Sequence, residues 1–203
     1  AGVLPDVQKN SAWFTEADTK VQMKAEQKTH KKTKNVILFV GDGMGISTLT
    51  AARILDGQNK GFLGEEGYLS FEKFPYSAQV KTYNVDAQTP DSAGTMTAMM
   101  TGVKSDAGVI SISEEVERGN CSSTKGHQLV TALELAEIKG LSTGVVTTAR
   151  ITHATPAATY SHSAERNWED ISDLSDEAVT NGCEDIASQL INFEKHHHQQ
   201  DQK

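Results

Sequence analysis

The stretch Asn35-Val36-Ile37-Leu38-Phe39-Val40 constrains the fold more than any other. It is an apolar run of strand length that leads straight into the turn Gly41-Asp42-Gly43-Met44-Gly45. From Ile46 to about Leu55 the pattern becomes helical. Uninterrupted apolar residues in an extended segment call for burial on both faces. A strand of that kind feeding a glycine turn and a helix is the opening unit of a parallel α/β sheet.

The same alternation recurs downstream. Val80 to Val85 reads as a strand and Thr95 to Thr101 as a helix, with Pro90 as a breaker before it and Gly102 as a stop after it. His127 to Lys139 reads as a helix with Leu129, Leu133 and Ala136 on one face, closed by Gly140. Gly144 to Thr148 is a further strand, and Cys183 to Asn192 a further helix carrying Ile186, Leu190 and Ile191. The expected fold class is α/β, a doubly wound, largely parallel central sheet flanked by helices, with ligands at the carboxyl ends of the strands. Three regions follow. Residues 1–34 form a polar arm or surface helix, with Trp13, Phe14, Val21 and Met23 as a thin apolar stripe. Residues 35–194 form the α/β domain, and residues 195–203 a polar His/Gln tail.

Composition narrows the function classes. A chain of 203 residues with 37% hydrophobic content can bury a sizeable core and fits one domain. Its net charge of −8 argues against non-specific nucleic-acid binding, which depends on Lys and Arg neutralising phosphates. No apolar run approaches the roughly eighteen residues of a membrane helix, and no basic-then-apolar leader precedes Ala1, so an exported form is expected to have lost its signal already. Cys121 and Cys183 are not spaced as a zinc or redox motif; they are either one bridge or two free thiols.

Reactive side chains fall where strands are expected to end. In Asp91-Ser92-Ala93-Gly94-Thr95 one serine sits in the first turn of an expected helix. There, unpaired N–H groups and the positive end of the dipole favour a phosphoryl group. Ser92 is then either a phosphate-accepting nucleophile or simply an N-cap. Asp42 supplies a hard carboxylate for Zn²⁺ or Mg²⁺ or else shapes a turn. Gly41-x-Gly43 hints at a dinucleotide loop, yet Ile46 stands where the third glycine belongs. Thr155 offers a neutral oxygen suited to Mg²⁺. His153 is either a surface residue or an outer-shell group. Arg166 is either a fork for two phosphate oxygens or a partner stacked on Trp168.

Taken in order, several motifs resemble the alkaline phosphatase family, in particular the branch of animal and marine bacterial enzymes. They are Asn35 to Gly45, Phe74-Pro75-Tyr76, Lys81 to Asp86, Pro90 to Thr95, Thr101-Gly102-Val103-Lys104, Gly144 to Thr148, His153-Ala154-Thr155-Pro156-Ala157 and Arg166-Asn167-Trp168. The resemblance implies hydrolysis of phosphate monoesters, releasing inorganic phosphate, in two in-line displacements through a phosphoserine. In that scheme Ser92 is the nucleophile and a zinc contact, and Asp42 bridges zinc and magnesium. Thr155 binds magnesium, His153 lies in the outer shell of the magnesium, and Arg166 clamps the phosphate. It also implies a Cys121–Cys183 disulfide, a periplasmic or extracellular location and a homodimer.

The family's chains are more than twice as long, and their second half carries the remaining zinc ligands and a magnesium-binding glutamate. Asp42 and Ser92 fall short of the three protein ligands that catalytic zinc needs. The 203-residue chain alone is therefore expected to be inactive or nearly so. A sulfatase or phosphodiesterase-like hydrolase would need a C/S-x-P-x-R setting, whereas Ser92 precedes Ala-Gly-Thr. A non-catalytic binding or interface module retaining Asp42, Ser92 and Arg166 by descent is the other alternative. The tract His196-His197-His198 reads as a polar surface insertion, with a metal-scavenging tract as its rival.

Overall fold

The computed structural model describes residues 3–25, 33–74 and 76–198. The chain forms two compact units, Ala1–Lys31 with Thr82–Lys203, and Lys32–Lys81. Pro75 of the Phe74-Pro75-Tyr76 motif and residues 199–203 of the expected tail lie outside the described residues.

The larger unit begins with helices α1 (Asp6–Lys9) and α2 (Ala12–Ala25). At the start of the expected stripe Trp13 meets Tyr83 edge-on at 6.1 Å, whereas Val21 is exposed; the side chain of Met23 lies outside the described residues.

In the smaller unit, the turn at Asp42 leads through Gly45 into helix α3, Ile46–Asn59. The helix starts where the sequence places it and runs one turn further. The chain then folds back so closely that a Cβ on Gly57 would collide with the Gly64 Cα, a crossing open only to glycine. Arg53 holds Glu72 at 3.1 Å, while the other oxygen of Glu72 accepts the Leu69 N–H at 2.7 Å. This fixes the short 3₁₀ turn Ser70–Lys73 against α3.

The larger unit resumes with α4 (Ser92–Thr101), α5 (Ala132–Ile138), α6 (Ala154–Ala157), α7 (Asp176–Asn181) and α8 (Ile186–His198). Helix α5 is shorter than the sequence suggests, because the Thr131/Glu134 capping box sets its start. Helix α8 starts three residues later than expected and reaches His198, so the first four residues of the expected tail are helical.

The expected sheet is the main correction. The described residues contain no strand; they contain two isolated antiparallel bridges, Ile110 with Ser163 and Ile112 with Gln128. Residues 35–40, 80–85 and 144–148 form no ladder, and Val36, Phe39, Val80 and Val146 are largely solvent-exposed. An apolar run records a demand for burial. Meeting it takes adjacent strands and covering helices, and those do not assemble around these segments among the described residues.

What replaces a ladder in the larger unit is a set of buried hydroxyls and amides bonded to backbone. Ser105 Oγ donates to the Ile112 carbonyl at 2.6 Å, and Thr131 Oγ1 to that of Thr159 at 2.7 Å. Gln8 Nε2 donates to Thr101 O at 2.6 Å, and Gln8 Oε1 accepts the Val130 N–H at 2.9 Å. Such groups are stable inside a protein only because each is paired. Around them Ile112, Val116, Cys121, Ala164, Trp168 and Ala178 make an apolar cluster, with Leu174 and Cys183 at its edge. Cys121 and Cys183 form a disulfide across 62 positions, which restricts the unfolded chain by about 4 kcal/mol on loop entropy.

Ser111 is the tightest knot. It is fully buried with φ +49°, a left-handed conformation that a residue with a Cβ adopts under constraint. Its N–H donates to Thr97 Oγ1, its hydroxyl to the Ala158 carbonyl, and its own carbonyl accepts the Leu129 N–H. That carbonyl also accepts from His162 Nδ1 at 2.9 Å, while His162 Nε2 lies 3.0 Å from Glu134. Both ring nitrogens face acceptors, an arrangement that favours the protonated ring. Burial by itself lowers the His162 pKa, but the Glu134 carboxylate and the Ser111 carbonyl outweigh it and raise it.

A folded-state pKa above the unfolded value of about 6.5 stabilises the fold below that pH, and the gain is lost as pH rises through the folded pKa. The difference in thermal midpoint between the native protein and His162→Gln is therefore expected to be largest near pH ~6 and to shrink toward alkaline pH. Calorimetry across that range measures it, and a difference independent of pH would refute the charged ring.

Candidate active site

Asp91, rather than Ser92, is the N-cap of α4: its Oδ1 accepts the Gly94 N–H at 3.0 Å. Ser92 is the first helical residue. It is partly buried, and its hydroxyl takes no hydrogen bond among the described residues. The N–H groups of Ser92 and Ala93 have no acceptor within the helix, as in any first turn. Ser92 is therefore not the cap.

The Asp91 carboxylate accepts four hydrogen bonds. Besides Gly94, Asn84 Nδ2 donates to Oδ1 at 2.9 Å; the Gly108 N–H and Arg166 Nη1 each donate to Oδ2 at 2.9 Å. Burial works to raise the Asp91 pKa, yet the Gly94 N–H, the Arg166 guanidinium and the Asn84 amide prevail and lower it. Asp91 is ionised at any pH where the pair with Arg166 matters.

Arg166 therefore sits beside the residue that precedes Ser92. Its Nη2 lies 3.3 Å from His153 Nε2. A guanidinium only donates, so Nε2 accepts and the ring proton is assigned to Nδ1. Nδ1 is buried and has no partner among the described residues. His153 is thus no ordinary surface histidine. The stacked arrangement of Arg166 on Trp168 is not what forms, since Trp168 is buried in the apolar cluster.

His153 caps the four-residue helix α6, whose second residue is the half-buried Thr155. The approach to that helix is held by Glu169, which accepts from Arg150 Nε at 2.8 Å and Thr152 Oγ1 at 2.6 Å. The Arg150 hydrogen bond, followed by that of Thr152, brings the Glu169 pKa down to about 2.

Ser92, Asp91, Arg166, His153 and Thr155 all belong to the larger unit, and Asp42 belongs to the smaller one, in the exposed turn before α3. Among the described residues no group of three His, Cys, Asp or Glu side chains could hold a metal ion. These residues alone therefore fall short of the three protein ligands that catalytic zinc needs. A protonated Nδ1 on His153 is not a ligand, although it can donate to water.

Asp91 and Asn84 lie within the sequence motifs, but sequence reasoning gives neither a role of its own. An aspartate just before a helix start is a capping signal and could have marked Asp91. Gly108 and Glu169 carry no local signal, because their partners lie far along the chain.

Asp91→Ala removes both cap and charge, while Asp91→Asn keeps a competent cap. Urea unfolding is expected to rank native above Asn and Asn above Ala, with about 1 kcal/mol of the destabilisation in Ala due to the cap. Equal midpoints for native and Asp91→Asn would mean that the charge on Asp91 contributes nothing.

A family-wide sequence profile for alkaline phosphatase matches residues 33–197. The chain is 45% identical to the tissue-nonspecific alkaline phosphatase of Gallus gallus over 194 residues, which is 94% of this chain and 37% of the relative. It is 48% identical to an alkaline phosphatase of Gadus morhua over 160 residues, 79% of this chain and 34% of that one. The cold-active alkaline phosphatase from the psychrophile Shewanella sp. aligns in structure with a TM-score of 0.54 at 28% identity, covering 75% of this chain and 38% of that chain. The chain thus spans little more than a third of the length of these relatives. On the strength of that profile match the chain belongs to the alkaline phosphatase family.

Proposed function

We propose that the protein carrying this chain hydrolyses phosphate monoesters, with Ser92 as nucleophile and Arg166 as phosphate clamp. The observation that carries this reading is the Asp91–Arg166 pair: it holds a guanidinium on the carboxylate of the residue that precedes Ser92, the first residue of a ten-residue helix. Two further supports are the unengaged Ser92 hydroxyl and family membership.

The chemistry of the turn follows from its own groups. A phosphoryl group brought to Ser92 meets the first-turn N–H groups and the guanidinium, both of which favour negative charge. Ser92 Oγ attacks phosphorus as the ester P–O bond breaks, giving phosphoserine and an alcohol that takes up the hydroxyl proton. Water then attacks the same phosphorus, its proton passes to the departing Ser92 oxygen, and inorganic phosphate leaves. Asp91 keeps Arg166 in place through both steps.

Asp42 as a donor to zinc and magnesium, Ser92 to zinc, Thr155 to magnesium and His153 in the outer shell remain part of this proposal. Family membership supports these roles, and the enclosed Nδ1 of His153 supports its own. A divalent ion bound there would stabilise the serine alkoxide. The homodimer is supported by the family resemblance alone. A periplasmic or extracellular location is supported by the Cys121–Cys183 bridge, since disulfides persist in oxidising compartments. No described helix is long and apolar enough to cross a membrane.

Two outcomes test the reading. In the complete protein, Ser92→Ala is expected to abolish covalent capture of labelled phosphate at acid quench while leaving the thermal midpoint within a few degrees; retained label at native level would rule Ser92 out. The 203-residue chain by itself, supplied with zinc and magnesium, is expected to turn over a chromogenic phosphate ester at least about a hundredfold more slowly than the complete protein, because a partial donor set cannot hold the charge. A full-length rate from that chain would overturn the partial-site reading.

A further inference from the structure

Gly108 binds both partners of the Asp91–Arg166 pair. Its N–H donates to Asp91 Oδ2 at 2.9 Å, and its carbonyl accepts the Arg166 backbone N–H at 2.8 Å. Two residues on, Ile110 and Ser163 exchange backbone hydrogen bonds of 2.8 and 2.9 Å, so the segment 108–110 runs antiparallel to 163–166. The preceding residue is held as well, the Ala107 N–H donating to Asp86 Oδ1 at 2.8 Å.

A second guanidinium closes over this peptide. Gly108 has φ +84°, and a Cβ on it would collide with both Cζ and Nε of Arg118. The space that any side chain would fill is therefore occupied by Arg118. Glu165, the residue before Arg166, grips Arg118 in a two-point fork, Nε to Oε2 at 2.7 Å and Nη2 to Oε1 at 3.0 Å. The same Oε1 accepts the Asn167 N–H at 2.9 Å. Glu165 thus ties the residues on both sides of Arg166 to the loop that holds Asp91. With Arg118 nearly half exposed, the fork is worth little as a surface ion pair; its geometry points to another use.

We propose that Arg118 and Glu165, closing across Gly108, are positioning residues for the phosphate clamp. They fix the backbone that carries Arg166 and so the direction in which its guanidinium meets a phosphoryl group. This rests on the reading of Ser92 and Arg166 as a phosphate site. Such a clamp acts through alignment, so even a small displacement of its guanidinium weakens phosphate binding.

The test is calorimetric titration of the complete protein with inorganic phosphate, in a double-variant cycle. Arg118→Ala and Glu165→Gln are each expected to raise the dissociation constant about three- to tenfold, with Arg118→Lys between them and native. In an Arg166→Ala background, Arg118→Ala is expected to add nothing, because its effect passes through Arg166. Thermal midpoints near native in the single variants would separate positioning from loss of fold. An unchanged constant in Arg118→Ala overturns the inference, as does an equal increase in the Arg166→Ala background. If Arg166→Ala by itself leaves phosphate binding unaltered, the phosphate-site reading has failed and the positioning role falls with it. That outcome is distinct because Arg118 is untouched in that variant.

Discussion

The larger unit is organised around one carboxylate. Asp91 accepts from a helix N–H, a buried asparagine, a loop glycine and an arginine, and these four donors come from positions 84, 94, 108 and 166. Removing a charge from water costs free energy, and only a full set of donors offsets it. Asp91 has that set, which is why its carboxyl stays ionised in spite of burial. The start of α4, the loop at Gly108 and the segment carrying Arg166 are all located with respect to it. Ser92 inherits its place from its neighbour.

Elsewhere the same logic applies with neutral groups. A unit whose described residues form no ladder must satisfy its buried peptide groups by other means, and it uses Ser105, Thr131, Ser111 and Gln8 for this. Serine and threonine side chains are short, so little rotamer freedom is lost for each bond made, whereas Gln8 gives up more and makes bonds to both Thr101 and Val130 in return. His162 and Glu134 form the ionic counterpart, joining the capped start of α5 to the loop at Ser111. Glu134 serves twice, since its other oxygen accepts the Thr131 N–H of the capping box.

Family membership and the exposed apolar segments bear on each other. The chain spans little more than a third of the relatives' length, and the runs at 35–40 and 144–148 present Val36, Phe39 and Val146 to solvent. Apolar surface of that kind is stable in water only when something covers it. The similarity in fold to the Shewanella enzyme concerns three quarters of this chain, although the described residues form no strand.

The sequence by itself determined the local features. The helix after Gly45, the presence of a helix ending at Gly102, the order of Ser92, His153, Thr155 and Arg166 along one chain, and the family were all legible, because each depends on residues a few positions apart or on ordered motifs. What only the tertiary structure decided was which groups meet. That Asp91 holds both Gly108 and Arg166, and that His162 reaches Glu134, depend on contacts between residues 17 to 75 positions apart. The sheet marks the same boundary from the other side. Hydrophobic pattern states that a segment should be buried, but a strand exists only when a second segment supplies the opposing N–H and carbonyl groups, and no local pattern encodes that partner.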